Sequence, residues 1–171
     1  VTAGNAALTK IGEFKFINKV VYGQDFGFSN DPSTLVKTCI DKQNKIIYVQ
    51  LCYYQSKLTT SELAQLNVKF AGNDLIVGDS SEPRLINELS RSCNIVPAIK
   101  GQGSVTYGIS MIQDYDLIID AESTDLIKEL NNYVWLERKS QTPVDNYNHA
   151  LDALRYAVTY QLQSGGEYYI Y

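Results

Sequence analysis

The chain has 171 residues, 44% of them hydrophobic and 20% charged, enough for one globular domain with a substantial core and with no apolar run long enough to span a membrane. A net charge of −4 excludes a strongly basic, non-specific nucleic-acid binder, although a carboxylate cluster that bound cations neutralise locally stays compatible with it. Its three cysteines, Cys39, Cys52 and Cys93, contain no Cys-x-x-Cys pair, which argues against a zinc site and predicts reduced, mostly buried thiols in an intracellular compartment.

Residues 1–18 show little periodicity and are expected to be a connecting segment, with Phe14 and Phe16 as anchors. The opening Val1-Thr-Ala-Gly has neither an initiator Met nor a signal-peptide layout, so a fragment or processed form is expected. Val20 to Phe26 reads as a buried strand. Thr34–Ile40 and Lys45–Tyr53 are β-rich runs joined by the polar turn Asp41-Lys-Gln-Asn44, which predicts an antiparallel meander of three strands. The pattern then changes. Thr59-Thr-Ser-Glu62 is a capping box before a helix that carries Leu63, Leu66 and Phe70. Asp74 to Gly78 is a strand, and Pro83 to Ser92 a helix with Leu85, Ile86 and Leu89 on one face. Ile95 to Ile99 is a strand that Pro97 assigns to an edge or a bulge. A Gly-rich loop, Lys100-Gly-Gln-Gly-Ser104, leads into a helix with Val105, Ile109 and Ile112. Asp116–Asp120 is a further strand and Thr124–Tyr133 a helix. Glu137–Pro143 is polar and loop-like. Asp145–Leu162 is the longest helix, and residues 164–171 form a tail. A meander followed by alternating helices and strands predicts an α/β domain over residues 19–163, a mixed sheet flanked by helices.

Three aspartates stand out against this frame. Asp25 and Asp79 each follow an apolar strand, in Gly-Gln-Asp-Phe-Gly-Phe and Gly-Asp-Ser-Ser-Glu-Pro, and Asp152 lies in the last helix. Ligands of open α/β sheets gather at the carboxyl ends of strands, and a helix packed across that end can add a third carboxylate. His149 lies one turn before Asp152, on the same helix face. Three clustered carboxylates repel one another, so the set points to two hard divalent cations, Mg²⁺ or Mn²⁺, roughly 3.5–4 Å apart, and to phosphodiester hydrolysis. Each residue also has a plainer explanation. Asp25 can be a loop aspartate, Asp79 can cap the following helix, Asp152 can pair with Arg155 or Arg138 on the helix surface, and His149 can be an ordinary packed histidine. Arg84, Lys100 and Lys139 are candidate contacts to a nucleic-acid backbone, with solvated surface charge as the alternative. Lys100-Gly-Gln-Gly-Ser lacks the Gly-Lys-Ser/Thr ending of a Walker A loop.

Four motifs in this order, Gly-Gln-Asp-Phe-Gly-Phe-Ser-Asn-Asp-Pro (23–32), Gly-Asp-Ser-Ser-Glu-Pro-Arg (78–84), Lys-Gly-Gln-Gly-Ser-Val-x-Tyr-Gly-Ile (100–109) and Asn-His-Ala-Leu-Asp-Ala-Leu-Arg-Tyr (148–156), resemble the C-terminal nuclease domain of the large terminase subunit of tailed bacteriophages. The resemblance runs from about Lys19 to Leu162. It implies an RNase H-like fold and endonucleolytic cutting of concatemeric double-stranded viral DNA during packaging. The family's metal-binding acids fall on Asp25, Asp79 and Asp152 and its histidine on His149, with Asp145 as a subsidiary ligand candidate. No P-loop or Walker B pattern is present, so the ATPase motor, the small terminase subunit and the portal are partners expected of a full-length protein in the host cytoplasm, away from any membrane. Two rivals remain: a Holliday-junction resolvase or RNase H of the same fold, and a non-cutting DNA-binding or assembly module. A further expectation is that the polar stretch Glu137–Asn146 gates access to the site.

Overall fold

A four-residue edge strand, β1 (Thr9–Gly12), lies where a connecting segment was expected, and pairs in parallel with a strand more than a hundred residues away in sequence, β7 (Asp116–Asp120). The computed structural model describes residues 9–100, 104–140 and 148–163. β2 (Val20–Asp25), β3 (Pro32–Asp41) and β4 (Ile46–Ser56) form the antiparallel meander, closed by the 41–45 hairpin. β5 (Leu75–Gly78) adds in parallel to β2, and β6 (Ile95–Pro97) to β5. β7 pairs in parallel with β4, and the mixed seven-stranded sheet runs β1-β7-β4-β3-β2-β5-β6. β6 is the edge that Pro97 predicted, since a residue without an N–H is tolerated there.

Helices cover both faces. α1 (Thr60–Ala71) and α2 (Pro83–Leu89) lie on one, where Leu63, Ala71, Ile86 and Leu89 bury Val20, Tyr22, Ile76 and Ile95. On the other, α4 (Thr124–Ser140) and α5 (His149–Gln163) bury Val36, Ile47, Val49, Leu117 and Ile119, while α3 (Ser104–Gln113) packs beside α5. α1 starts as the capping box predicts: the Thr59 hydroxyl accepts the Glu62 N–H at 3.1 Å, and Glu62 reaches back to the Thr59 N–H. Its inward stripe differs from the expectation. Phe70 is exposed, and the fully buried position is Asn67. α4 also runs past Tyr133 through Ser140, so Glu137–Ser140 is helical rather than loop. Nothing between Tyr133 and Pro143 breaks a helix, and Leu136, Glu137, Arg138 and Lys139 are all good helix formers.

Because side chains alternate along a strand, the register of β2 sets what each face of the sheet sees. Val20, Tyr22 and Gln24 face α1, whereas Val21, Gly23 and Asp25 face α5. β2 is buried on both faces, which accounts for its near-continuous apolar run. Among the described residues no helix is long and apolar enough to cross a membrane. Cys39 and Cys93 are buried free thiols and Cys52 is half-buried.

Candidate metal and nucleic-acid site

The ends of β2 and β5 lie side by side. The Asp79 N–H donates to the Gln24 carbonyl at 3.1 Å, tying the residue after β5 to the residue before Asp25. α5 crosses the same place unusually closely. A Cβ added to Gly23 would lie 1.7 Å from the Ala153 carbonyl oxygen and 3.1 Å from the Ala157 methyl. Glycine in β2 and alanines in α5 thus let two backbones touch, and Asp152, the neighbour of Ala153, comes to the end of β2 beside Asp25. The loop that follows is equally tight. A Cβ at Gly27 would meet the Asp31 carbonyl at 2.1 Å, and the Gly27 N–H is held by the Ser33 hydroxyl at 3.0 Å.

Within this cluster each side chain has its own partner. Asp25 is 7% exposed, and its Oδ2 lies 3.5 Å from His149 Nδ1. His149 Nε2 points toward Asp31 at 3.9 Å, and the imidazole meets the Tyr54 ring edge-on at 6.5 Å between centroids. Asp79 accepts from Lys100 Nζ at 2.5 Å, from the Ser81 N–H at 3.0 Å and from the Ser81 hydroxyl at 2.9 Å. The helix-cap explanation for Asp79 therefore does not hold: Glu82 is the N-cap position of α2. Asp152 lies 3.3 Å from Arg155, as the pairing explanation has it, but not on the surface. Arg155 is 8% exposed, lies on the Tyr156 ring at 4.8 Å, and crosses α3 at Gly108, where a Cβ would strike its side chain at 2.7 Å. Arg84 is exposed on the first turn of α2. Asp145 lies outside the described residues, as does 141–146 of the expected gate, and Lys139 lies on the last turn of α4.

The electrostatics reflect crowding. Burial raises the Asp25 carboxyl to about 6; the His149 contact opposes this and the charges of Asp152 and Asp79 add to it. Asp152 is also raised by burial, against the pull of Arg155. Burial acts upward on Asp79 too, but Lys100 and Ser81 together outweigh it and hold the group low. His149 is raised, first by its contact with Asp25. Among the described residues no group of three or more His, Cys, Asp or Glu side chains lies close enough together to hold a metal ion as it stands. The donor set nonetheless fits a hard divalent cation: it offers carboxylate oxygens that repel one another, beside one imidazole.

Two supports of the site carry no sequence signal of their own. Gln24, fully buried, bonds Asn67 of α1 at 3.0 Å and 2.7 Å and donates to the Tyr53 hydroxyl, which in turn donates to Asn67 at 2.7 Å. The strand end that carries Asp25 is therefore pinned from the opposite face. Glu129 of α4, 1% exposed, accepts the Leu151 N–H at 3.0 Å and the Tyr54 hydroxyl at 2.8 Å. It caps the first turn of α5, which carries His149 and Asp152.

Comparison with known proteins bears on the family and the fold. Residues 25–160 match the terminase RNAseH like domain family. The chain is 32% identical over 156 residues to the terminase large subunit of Bacillus phage SPP1, covering 84% of this chain and 36% of that protein, so it spans about a third of the relative's length. It superposes with a TM-score of 0.75 and 26% identity on the SPP1 large terminase nuclease domain with bound Mn, over 91% of this chain and 96% of that one. The large terminase nuclease from thermophilic phage G20c with bound magnesium shares the fold, with a TM-score of 0.54 and 17% identity over 85% of this chain and 83% of that one. A family match that begins at Asp25 and ends within α5, over a sheet and helices of this topology, makes the chain a member of the terminase RNase H-like domain family, with the α/β fold that the family implies.

Proposed function

We propose that this chain is the metal-dependent endonuclease domain of a viral DNA-packaging terminase, cutting concatemeric double-stranded DNA with two divalent cations, Mg²⁺ or Mn²⁺. The observation that supports this is the placement of three acids by adjoining elements: Asp25 ends β2, Asp79 follows β5 and bonds through its N–H to β2, and Asp152 lies on α5, which packs onto Gly23. Asp25, Asp79 and Asp152 would hold the cations, with His149 as an added ligand or a proton carrier and Asp145 as a subsidiary ligand. When bound, the cations supply the charge that activates a water and stabilises the leaving oxygen of a phosphodiester.

The remaining steps belong to side chains. The Gln24–Asn67 bonds hold the end of β2 that carries Asp25, and the Glu129 cap holds the first turn of α5 that carries Asp152. His149, its pKa raised by its contact with Asp25, would carry a proton to a departing oxygen. Arg84, on the first turn of α2, and Lys100, three residues past β6, would meet the phosphate backbone. In the full-length protein, an ATPase motor, a small terminase subunit and a portal would present DNA to this site in the host cytoplasm.

Supercoiled plasmid, incubated with the chain in Mn²⁺, Mg²⁺ or EDTA beside Asp79→Ala, tests the proposal. Cutting should require a divalent cation and should fall by at least about 100-fold in the folded variant. Duplex binding without cutting by a folded wild-type chain would instead favour a DNA-binding or assembly module. A preference for branched DNA or RNA–DNA hybrids would favour a resolvase or RNase H.

A further inference from the structure

Asp79 is the most heavily engaged of the three acids. Its Oδ1 takes both the Ser81 N–H and the Lys100 ammonium, and its Oδ2 takes the Ser81 hydroxyl. A carboxylate offers about four acceptor sites, two on each oxygen, so Oδ2 keeps one open whereas a further ligand on Oδ1 has to displace one of these donors. The Ser81 N–H is part of the backbone turn, whereas the lysine reaches in from beyond β6 on a flexible stem. Its side chain is 37% exposed, against 9% for Arg155 on Asp152. The two cations share one support, the Tyr156 ring, with Lys100 Nζ at 5.4 Å and Arg155 Cζ at 4.8 Å from its centroid. Arg155 is locked against Gly108; Lys100 is the partner that can leave.

We propose that Lys100 is a resident counter-ion of the site: its ammonium sits on the Asp79 oxygen that a divalent cation takes, and cation binding releases it to the DNA backbone. This rests on the metal-site function proposed above. A divalent cation and an ammonium on one carboxylate oxygen repel strongly, so the two occupants exclude each other. The released ammonium carries three donors and a full charge, the chemistry that phosphate oxygens bind. Metal loading and DNA engagement are then coupled through one side chain.

Calorimetric titration of Mn²⁺ into the wild-type chain, Lys100→Gln, Lys100→Arg and Asp79→Asn tests this without reference to cleavage. Lys100→Gln should bind Mn²⁺ roughly fivefold more tightly, the factor held back by a partly exposed ion pair. Lys100→Arg, which keeps the charge, should bind no tighter than wild type. Unchanged or weaker binding by Lys100→Gln, with melting temperature retained, would overturn the proposal and make Lys100 a residue that orients Asp79. Wild-type-like Mn²⁺ binding by Asp79→Asn would overturn the metal-site function itself, and the exchange with it. A second arm measures the salt dependence of binding to a duplex with non-hydrolysable linkages. Lys100→Gln should lower the slope relative to wild type by about 1 in Mn²⁺ and by less in EDTA, where the ammonium is held on Asp79. Equal slopes in both conditions would overturn the release step.

Discussion

Asp25 is a carboxylate held where ionisation is unfavourable. Its pKa rises from 3.8 to about 6 because it is buried and faces Asp152 and Asp79. At pH 7 the folded chain without metal must therefore keep a charge that the unfolded chain carries more easily. Asp25→Asn should stabilise the metal-free fold at pH 7 by about 1–3 kcal/mol, or roughly 3–10 °C in melting temperature. The sign sets the pH window. Folding raises this pKa, so the folded chain binds the extra proton between pH 4 and 6, and the destabilisation is complete only above about 6. The gap between variant and wild type in EDTA should close as pH falls from 7 to 4. Melting curves across that range check it, and the same variant should lose metal-dependent cutting. A gap that widened toward pH 4 would contradict the assignment. Gly23 offers a steric counterpart. Gly23→Ala puts a methyl into the Ala153 carbonyl, which is backbone and cannot turn aside, so a loss of about 3 kcal/mol or more is expected by denaturant titration.

At the scale of elements, the acids depend on how β2 and α5 are held. Asn67→Leu should remove about 2–3 kcal/mol by leaving Gln24 and Tyr53 with buried unpaired groups, although it adds an apolar side chain to an apolar helix face. Glu129→Ala should cost about 1–3 kcal/mol, and cutting should fall with it because α5 loses its cap next to His149; urea titration and a plasmid assay read the two effects. These supports also mark the limit of what the sequence discloses. The meander, the capping box at Thr59 and the edge position of Pro97 follow from local rules and can be read directly. Asn67 cannot, because a polar residue beside Leu66 and Phe70 looks like a flaw in an apolar stripe until Gln24 is seen opposite it. β1 is hidden for another reason. It is short and exposed, and its pairing partner β7 is far away in sequence. Arg155 reads as half of a surface pair because nothing in the sequence tells that Gly108 of α3 leaves room to bury it. Asp25, Asp79 and Asp152 are legible as candidates from their places at strand ends and in a helix, but the approach of α5 to β2 depends on the Gly23–Ala153 contact.

For the molecule as a whole, a net charge of −4 together with a carboxylate cluster means that cations do more than chemistry. Binding should stabilise the fold. Mn²⁺ at about 100 times its dissociation constant adds about 2.7 kcal/mol, or roughly 5–10 °C in melting temperature, and the gain should shrink in Asp79→Ala. Affinity for DNA should rise with the same titration, since neutralising the cluster removes its repulsion of phosphates. The central claim is that Asp25, Asp79 and Asp152 jointly hold divalent cations, and anomalous diffraction from crystals soaked in Mn²⁺ tests it most directly. Two anomalous peaks are expected between these three carboxylates, with Lys100 withdrawn from Asp79. Peaks elsewhere, or none in a well-ordered crystal at millimolar Mn²⁺, would contradict it.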